Sequence, residues 1–121
     1  MHHRYAPVPG SCPAARRDLH TFLLPYDLDD ELVHDLVLVL NELVANAVDH
    51  ARTSFSVTVT VSGSAVRIGV EDSSAQPPHL RPLDTSSYRG HGLRIIDAVA
   101  TTWSVTPSAT GKTVHADLTI A

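Results

Sequence analysis

Cysteine is almost absent. Cys12 stands alone in a chain of 121 residues, so no intrachain disulfide can form and nothing ties the fold to an oxidising compartment. Basic residues are also scarce: nine Lys and Arg against thirteen Asp and Glu leave a formal net charge of -4. No local run of Lys or Arg supplies the positive surface that a phosphate backbone demands, which argues against direct nucleic-acid binding. Long apolar runs are missing too. The longest aliphatic stretch, Leu36 to Leu40, falls far short of the roughly 20 residues a bilayer-spanning helix needs. The opening segment MHHRYAPVPG carries no apolar signal core. A cytoplasmic protein without membrane association is the expectation, and no internal repeat, linker or low-complexity tract divides it.

What is present is a globular composition. Hydrophobic residues make up 43% and charged residues 18% of the chain, proportions that support a packed core in a single domain spanning residues 1–121. Ser11 as a cap and Pro13 in the first turn predict a short amphipathic helix carrying Ala15, Leu19, Phe22 and Leu23, stopped by Pro25. A second helix is predicted from the acidic residues Asp29, Asp30 and Glu31 to about His50. Leu32, Leu36, Leu40, Leu43 and Ala47 form its apolar stripe, widened by Val33, Val37, Val44 and Val48. The period then changes to two. Phe55, Val57, Val59 and Val61, the turn Ser62-Gly63-Ser64, and Val66, Ile68 and Val70 predict a hairpin with one buried face.

Residues 71–89 show neither period and carry Pro77, Pro78 and Pro82. A loop of this length inside a compact domain is usually functional, often a lid. A third helix follows Gly90-His91-Gly92, with Leu93, Ile96, Val99 and Ala100 on its apolar side. Strands near Thr102 to Thr106 and Lys112 to Ile120 end the chain. This order predicts an α+β fold, a two-layer sandwich with a mixed, mostly antiparallel sheet covered on one face by about three helices.

Three segments could carry chemistry. Glu42, Asn46 and Asp49 fall at i, i+4 and i+7 of the second helix, on one face beside His50. An amide oxygen one turn from a carboxylate suits a metal–nucleotide site, although a solvated polar face gives the same spacing. Asp72 shares the parity of Val66, Ile68 and Val70, so its carboxylate should face the helix layer and need a donor: a purine amine or a backbone amide in an Asx-turn. Gly90-His91-Gly92 before a helix fits phosphate binding, with Arg81 and Arg89 nearby either as phosphate partners or as solvated cations.

Two other patterns fail. Gly111-Lys112-Thr113 has Thr106 where a phosphate-binding P-loop requires its first glycine, and a strand where it requires a helix. The eight histidines contain no pair at helical ligand spacing for zinc.

Taken in order, ELVANAVDHA, VED at a strand end, a Ser/Pro-rich loop, GHGL and a final hairpin through GKTVHADL resemble the GHKL, or histidine-kinase-like, ATPase superfamily from about Ala14 onward. Within it the chain looks most like the small bacterial anti-sigma-factor serine kinases, especially the stand-alone ATP-binding proteins of actinobacteria. The resemblance implies a Bergerat-type sandwich that holds ATP and Mg2+. By matching position, Glu42 would be the catalytic base and Asn46 the magnesium ligand. Asp72 would accept from the adenine amine. Arg89, Gly90, His91, Gly92 and Leu93 would surround the phosphates, Asp49 would complete the helix face, and Thr113 would lie near the adenine.

It further implies an anti-sigma factor with serine/threonine kinase activity, whose partners are a sigma factor and an antagonist protein. A non-catalytic nucleotide- or sigma-factor-binding module is the alternative, and an ATPase or detached histidine-kinase catalytic domain a third. The family pattern places a Gly two residues after the adenine-reading Asp, whereas Asp72 is followed by Ser73, Ser74, Ala75 and Gln76. The first family strand would be confined to His2 to Ala6 or missing, which leaves a homodimer open.

Overall fold

A computed structural model describes residues 1–74 and 91–120. The elements run β1 (His2–Tyr5), α1 (Ser11–Leu23), α2 (Asp30–Asn46), β2 (Phe55–Val61), β3 (Ala65–Asp72), α3 (His91–Val99), β4 (Thr102–Ser108) and β5 (Gly111–Thr119). The five strands form one sheet in the order β1-β2-β3-β5-β4, and every adjacent pair is antiparallel. The predicted α+β two-layer architecture is therefore the observed one, with a sheet that is wholly antiparallel among the described residues. The short first strand is present, paired along β2 from His2↔Thr58 to Tyr5↔Phe55.

Alternation along the strands sorts the two faces. Phe55, Val57 and Val59 of β2, Val66, Ile68 and Val70 of β3, and Val114, Ala116 and Leu118 of β5 are all buried, while Thr58, Thr60, Arg67 and Glu71 on the opposite parity are exposed. The buried face takes the helices. α1 contributes Ala15, Leu19 and Leu23 at four-residue intervals, and α2 contributes Leu36, Val39, Leu40, Leu43 and Val44. Val39 extends the stripe read from the sequence. Leu32, Val33, Val37 and Val48 pack only partly against this core. α2 lies in the middle of the helix layer, packed on both α1 and α3.

The helix ends differ from expectation in two places. Ser11 does not cap α1: Gly10 is the cap residue, and the Ser11 hydroxyl donates instead to the Ala6 carbonyl at 2.6 Å. The α-helical winding of α2 stops at Asn46, and residues Ala47–Ala51 form a π turn. The Arg52 amide reaches back five residues to the Ala47 carbonyl at 3.1 Å, and Arg52 itself takes a left-handed φ of 54° that ends the helix. Three residues later the chain is already in β2.

Candidate functional site

The end of α2 and the ends of β3 and β5 meet at one end of the sheet, on the helix-bearing face. The connection is short: α2 ends at Asn46, the π turn packs against β3, and Phe55 at the start of β2 pairs directly with Asp72 at the end of β3. The Ser73 amide donates to Thr53 Oγ1 at 3.1 Å, tying the two chain ends together just past that pair. Local sequence explains the closeness. An antiparallel hairpin returns to where it began, and it began where α2 stopped.

Asp72 is buried, 7% exposed, in line with the parity that places it on the helix side. Its carboxylate has the Asx-turn partner expected of it, accepting the Ser74 amide at Oδ1, 2.8 Å. It also has a partner the sequence reading did not foresee. Lys112 Nζ donates to Oδ1 at 3.1 Å and lies 3.0 Å from Oδ2. Lys112 is itself 8% exposed, so this is a buried ion pair. Its cause is register: Asp72↔Lys112 is a cross-strand pair between β3 and β5, and paired residues project from the same face.

Gly111 makes that pairing possible. A Cβ at this position would meet the Asp72 carbonyl oxygen at 1.9 Å and the Ser73 Cα at 2.7 Å, so only glycine lets the start of β5 lie this close to the end of β3.

The same register moves Thr113 away. It pairs with Glu71 on the opposite face and donates to Glu71 Oε2 at 3.4 Å, so the β5 side chain beside Asp72 is that of Lys112. The signal that finds Lys112 is parity counted from the buried Val114, Ala116 and Leu118, the count that also placed Asp72.

On α2, Glu42 and Asn46 are both half-buried, one turn apart. Burial alone pushes the Glu42 carboxyl pKa above its ordinary value. Asp49 lies just past the end of α2, in the π turn. Its charge acts on Cys12 of α1, whose thiol pKa is raised first by burial and then by Asp49.

Of the residues expected around the phosphates, Arg89 and Gly90, with Arg81, lie outside the described residues, and His91, Gly92 and Leu93 form the first turn of α3. Among the described residues no three His, Cys, Asp or Glu side chains converge as a metal cluster. A divalent ion held at Asn46 would therefore draw most of its ligands from phosphate and water, the usual habit of magnesium. An amide oxygen, a carboxylate one turn away and a buried strand-end carboxylate fit a nucleotide with its ion. No described helix is long and apolar enough to cross a membrane.

Solved structures share this fold. The chain superposes with a TM-score of 0.76, at 20% identity and over 98% of its length, on the crystal structure of the RsbU and RsbW domains of Rv1364c from Mycobacterium tuberculosis, of which it covers 31%. It matches the Erythrobacter litoralis EL346 blue-light activated histidine kinase with a TM-score of 0.56 at 24% identity, over 78% of this chain and 32% of that one. The histidine kinase domain of that same protein gives 0.53 at 24% identity, over 74% and 45%. The chain thus spans about a third of the length of the first two. No curated protein matches it in sequence. The family model of the histidine kinase-like ATPase domain matches residues 6–118, and the chain belongs to that family.

Proposed function

We propose that the domain binds ATP with magnesium and transfers the γ-phosphoryl group to a serine or threonine of a partner protein, in the manner of an anti-sigma-factor kinase. What supports this reading is the placement of Glu42 and Asn46 near the end of α2, whose following π turn packs against β3, together with the buried Asp72 carboxylate at the end of that strand. Family membership over residues 6–118 supports the nucleotide. The likeness to a chain holding an RsbW domain and the sequence resemblance to small anti-sigma kinases support the protein substrate and a sigma-factor partner.

Each residue has a defined task. Asp72 accepts a hydrogen bond from the amine of the base. The Asn46 amide oxygen holds the metal ion, which when bound supplies charge neutralisation across the phosphate oxygens. Glu42 accepts the proton of the attacking hydroxyl as its oxygen bonds to the γ-phosphorus and the bridging oxygen leaves with ADP. Burial suits Glu42 to this, since a raised pKa brings a carboxylate base closer to neutral pH.

The deciding experiment is incubation with labelled ATP, magnesium and candidate antagonist proteins, scored for phosphoserine. Glu42→Ala is expected to bind ATP within about threefold of wild type and to lose transfer by at least ~100-fold, the usual contribution of a positioned base. Asn46→Ala should lose magnesium-dependent binding as well. Loss of ATP binding by Glu42→Ala would instead give Glu42 a structural role. A non-catalytic nucleotide-binding module is the second reading, favoured by the missing glycine after Asp72. Calorimetric ATP binding without phosphotransfer to any partner would establish it.

A further inference from the structure

The Asp72–Lys112 pair has hydrogen-bonding capacity that the protein leaves unspent. Oδ1 of Asp72 accepts two donors, Ser74 N–H and Lys112 Nζ. Oδ2 lies 3.0 Å from Nζ and has no other partner among the described residues. A carboxylate oxygen accepts about two hydrogen bonds and an ammonium donates three, so Oδ2 keeps an acceptor site and Nζ keeps a donor. The two lie side by side, buried, on the helix-bearing face at the end of β3 and β5. Gly111 is there to let them meet, since any side chain at that position would collide with the Asp72 backbone.

An acceptor beside a donor is complementary to a ligand edge that offers a donor beside an acceptor. The Watson–Crick edge of adenine is such an edge, with its C6 amine next to the N1 lone pair. We infer that Lys112 is a base-reading residue that donates to adenine N1 while Asp72 accepts from the C6 amine. The inference rests on the nucleotide reading above and adds to it a second, charged contact. It also gives a reason for a lysine at a place where a charged side chain is otherwise costly to bury. An ammonium that only neutralised Asp72 would be a competitor for the base; one with a proton left over is a partner to it.

The test compares ATP with 1-deaza-ATP, in which N1 is replaced by C–H, and with 7-deaza-ATP, which keeps the whole Watson–Crick edge, by calorimetry on the unaltered protein with magnesium. A hydrogen bond from a charged donor is worth about tenfold or more in affinity. ATP and 7-deaza-ATP should therefore bind alike, and 1-deaza-ATP about tenfold or more weaker. Lys112→Met, checked for folding by circular dichroism, should bind ATP as weakly as it binds 1-deaza-ATP. Equal affinity of the wild type for ATP and 1-deaza-ATP overturns the inference and leaves ATP binding standing. Tighter ATP binding by Lys112→Met overturns it as well, by making the ammonium a competitor. GTP binding more tightly than ATP overturns the adenine assignment, because guanine reverses donor and acceptor at these positions. If the folded protein binds none of these nucleotides, the ATP reading itself fails.

Discussion

Glu42 is half-buried on α2, and the loss of water around its carboxylate alone pushes its pKa up. Proton linkage then fixes the sign of its effect on stability. Below the ordinary carboxylate range Glu42 is neutral in both folded and unfolded chains and carries no penalty. As pH rises from that range through the raised native pKa, the unfolded chain ionises first and the fold loses stability, an effect complete by the time the native carboxyl has ionised. Glu42→Gln removes the charge, so it should melt at a higher temperature than wild type at neutral pH and at the same temperature near pH 4. Thermal melts across that range check it, and a Glu42→Gln advantage that persists in acid would point to packing. Phosphotransfer should follow the opposite course, rising with pH through the same window as Glu42 becomes a base.

At the scale of elements, the Asp72–Lys112 contact depends on how closely β5 approaches β3. Gly111→Ala places a methyl group 1.9 Å from the Asp72 carbonyl, which is backbone and cannot swing aside, so the strands must part. Overpacking of this kind costs about 1–3 kcal/mol, and urea denaturation should show it. Gly63→Ala in the β2–β3 turn meets nothing within 4 Å and is the matched control, expected to change stability by less than ~1 kcal/mol.

The glycine, the lysine and Asp72 illustrate what the sequence could and could not disclose. Helix and strand periods were legible because burial on one face imposes them: the α1 stripe, both hairpins and the position of Asp72 all follow from spacing. The π turn at Ala47–Ala51 was not, since its residues read as a plain continuation of the α2 stripe. The neighbour of Asp72 was lost to register. A shift of one residue in β5 exchanges Lys112 for Thr113 and turns the site residue to the other face. Gly111 gave no local sign either, because its constraint is a carbonyl on a strand 39 residues away.

For the molecule as a whole, the site and the core share the same elements, so nucleotide binding and folding are coupled. Leu40 is fully buried on α2, the helix that also carries Glu42 and Asn46, and Leu40→Ala should cost about 2–5 kcal/mol through lost transfer energy and the cavity left behind. A ligand that binds only the folded chain returns stability by mass action, about 2.7 kcal/mol at a hundred times its Kd. ATP with magnesium at that excess should therefore restore most of the melting temperature lost by Leu40→Ala. It should do much less for a Leu40→Ala, Asp72→Asn double variant, whose base contact is impaired and whose Lys112 has lost its buried counter-charge. Equal rescue of both would place the ligand away from Asp72. Rescue of neither, with the wild-type melt equally unmoved by ATP, would remove the nucleotide from this fold, and with it the roles given to Asn46 and Glu42.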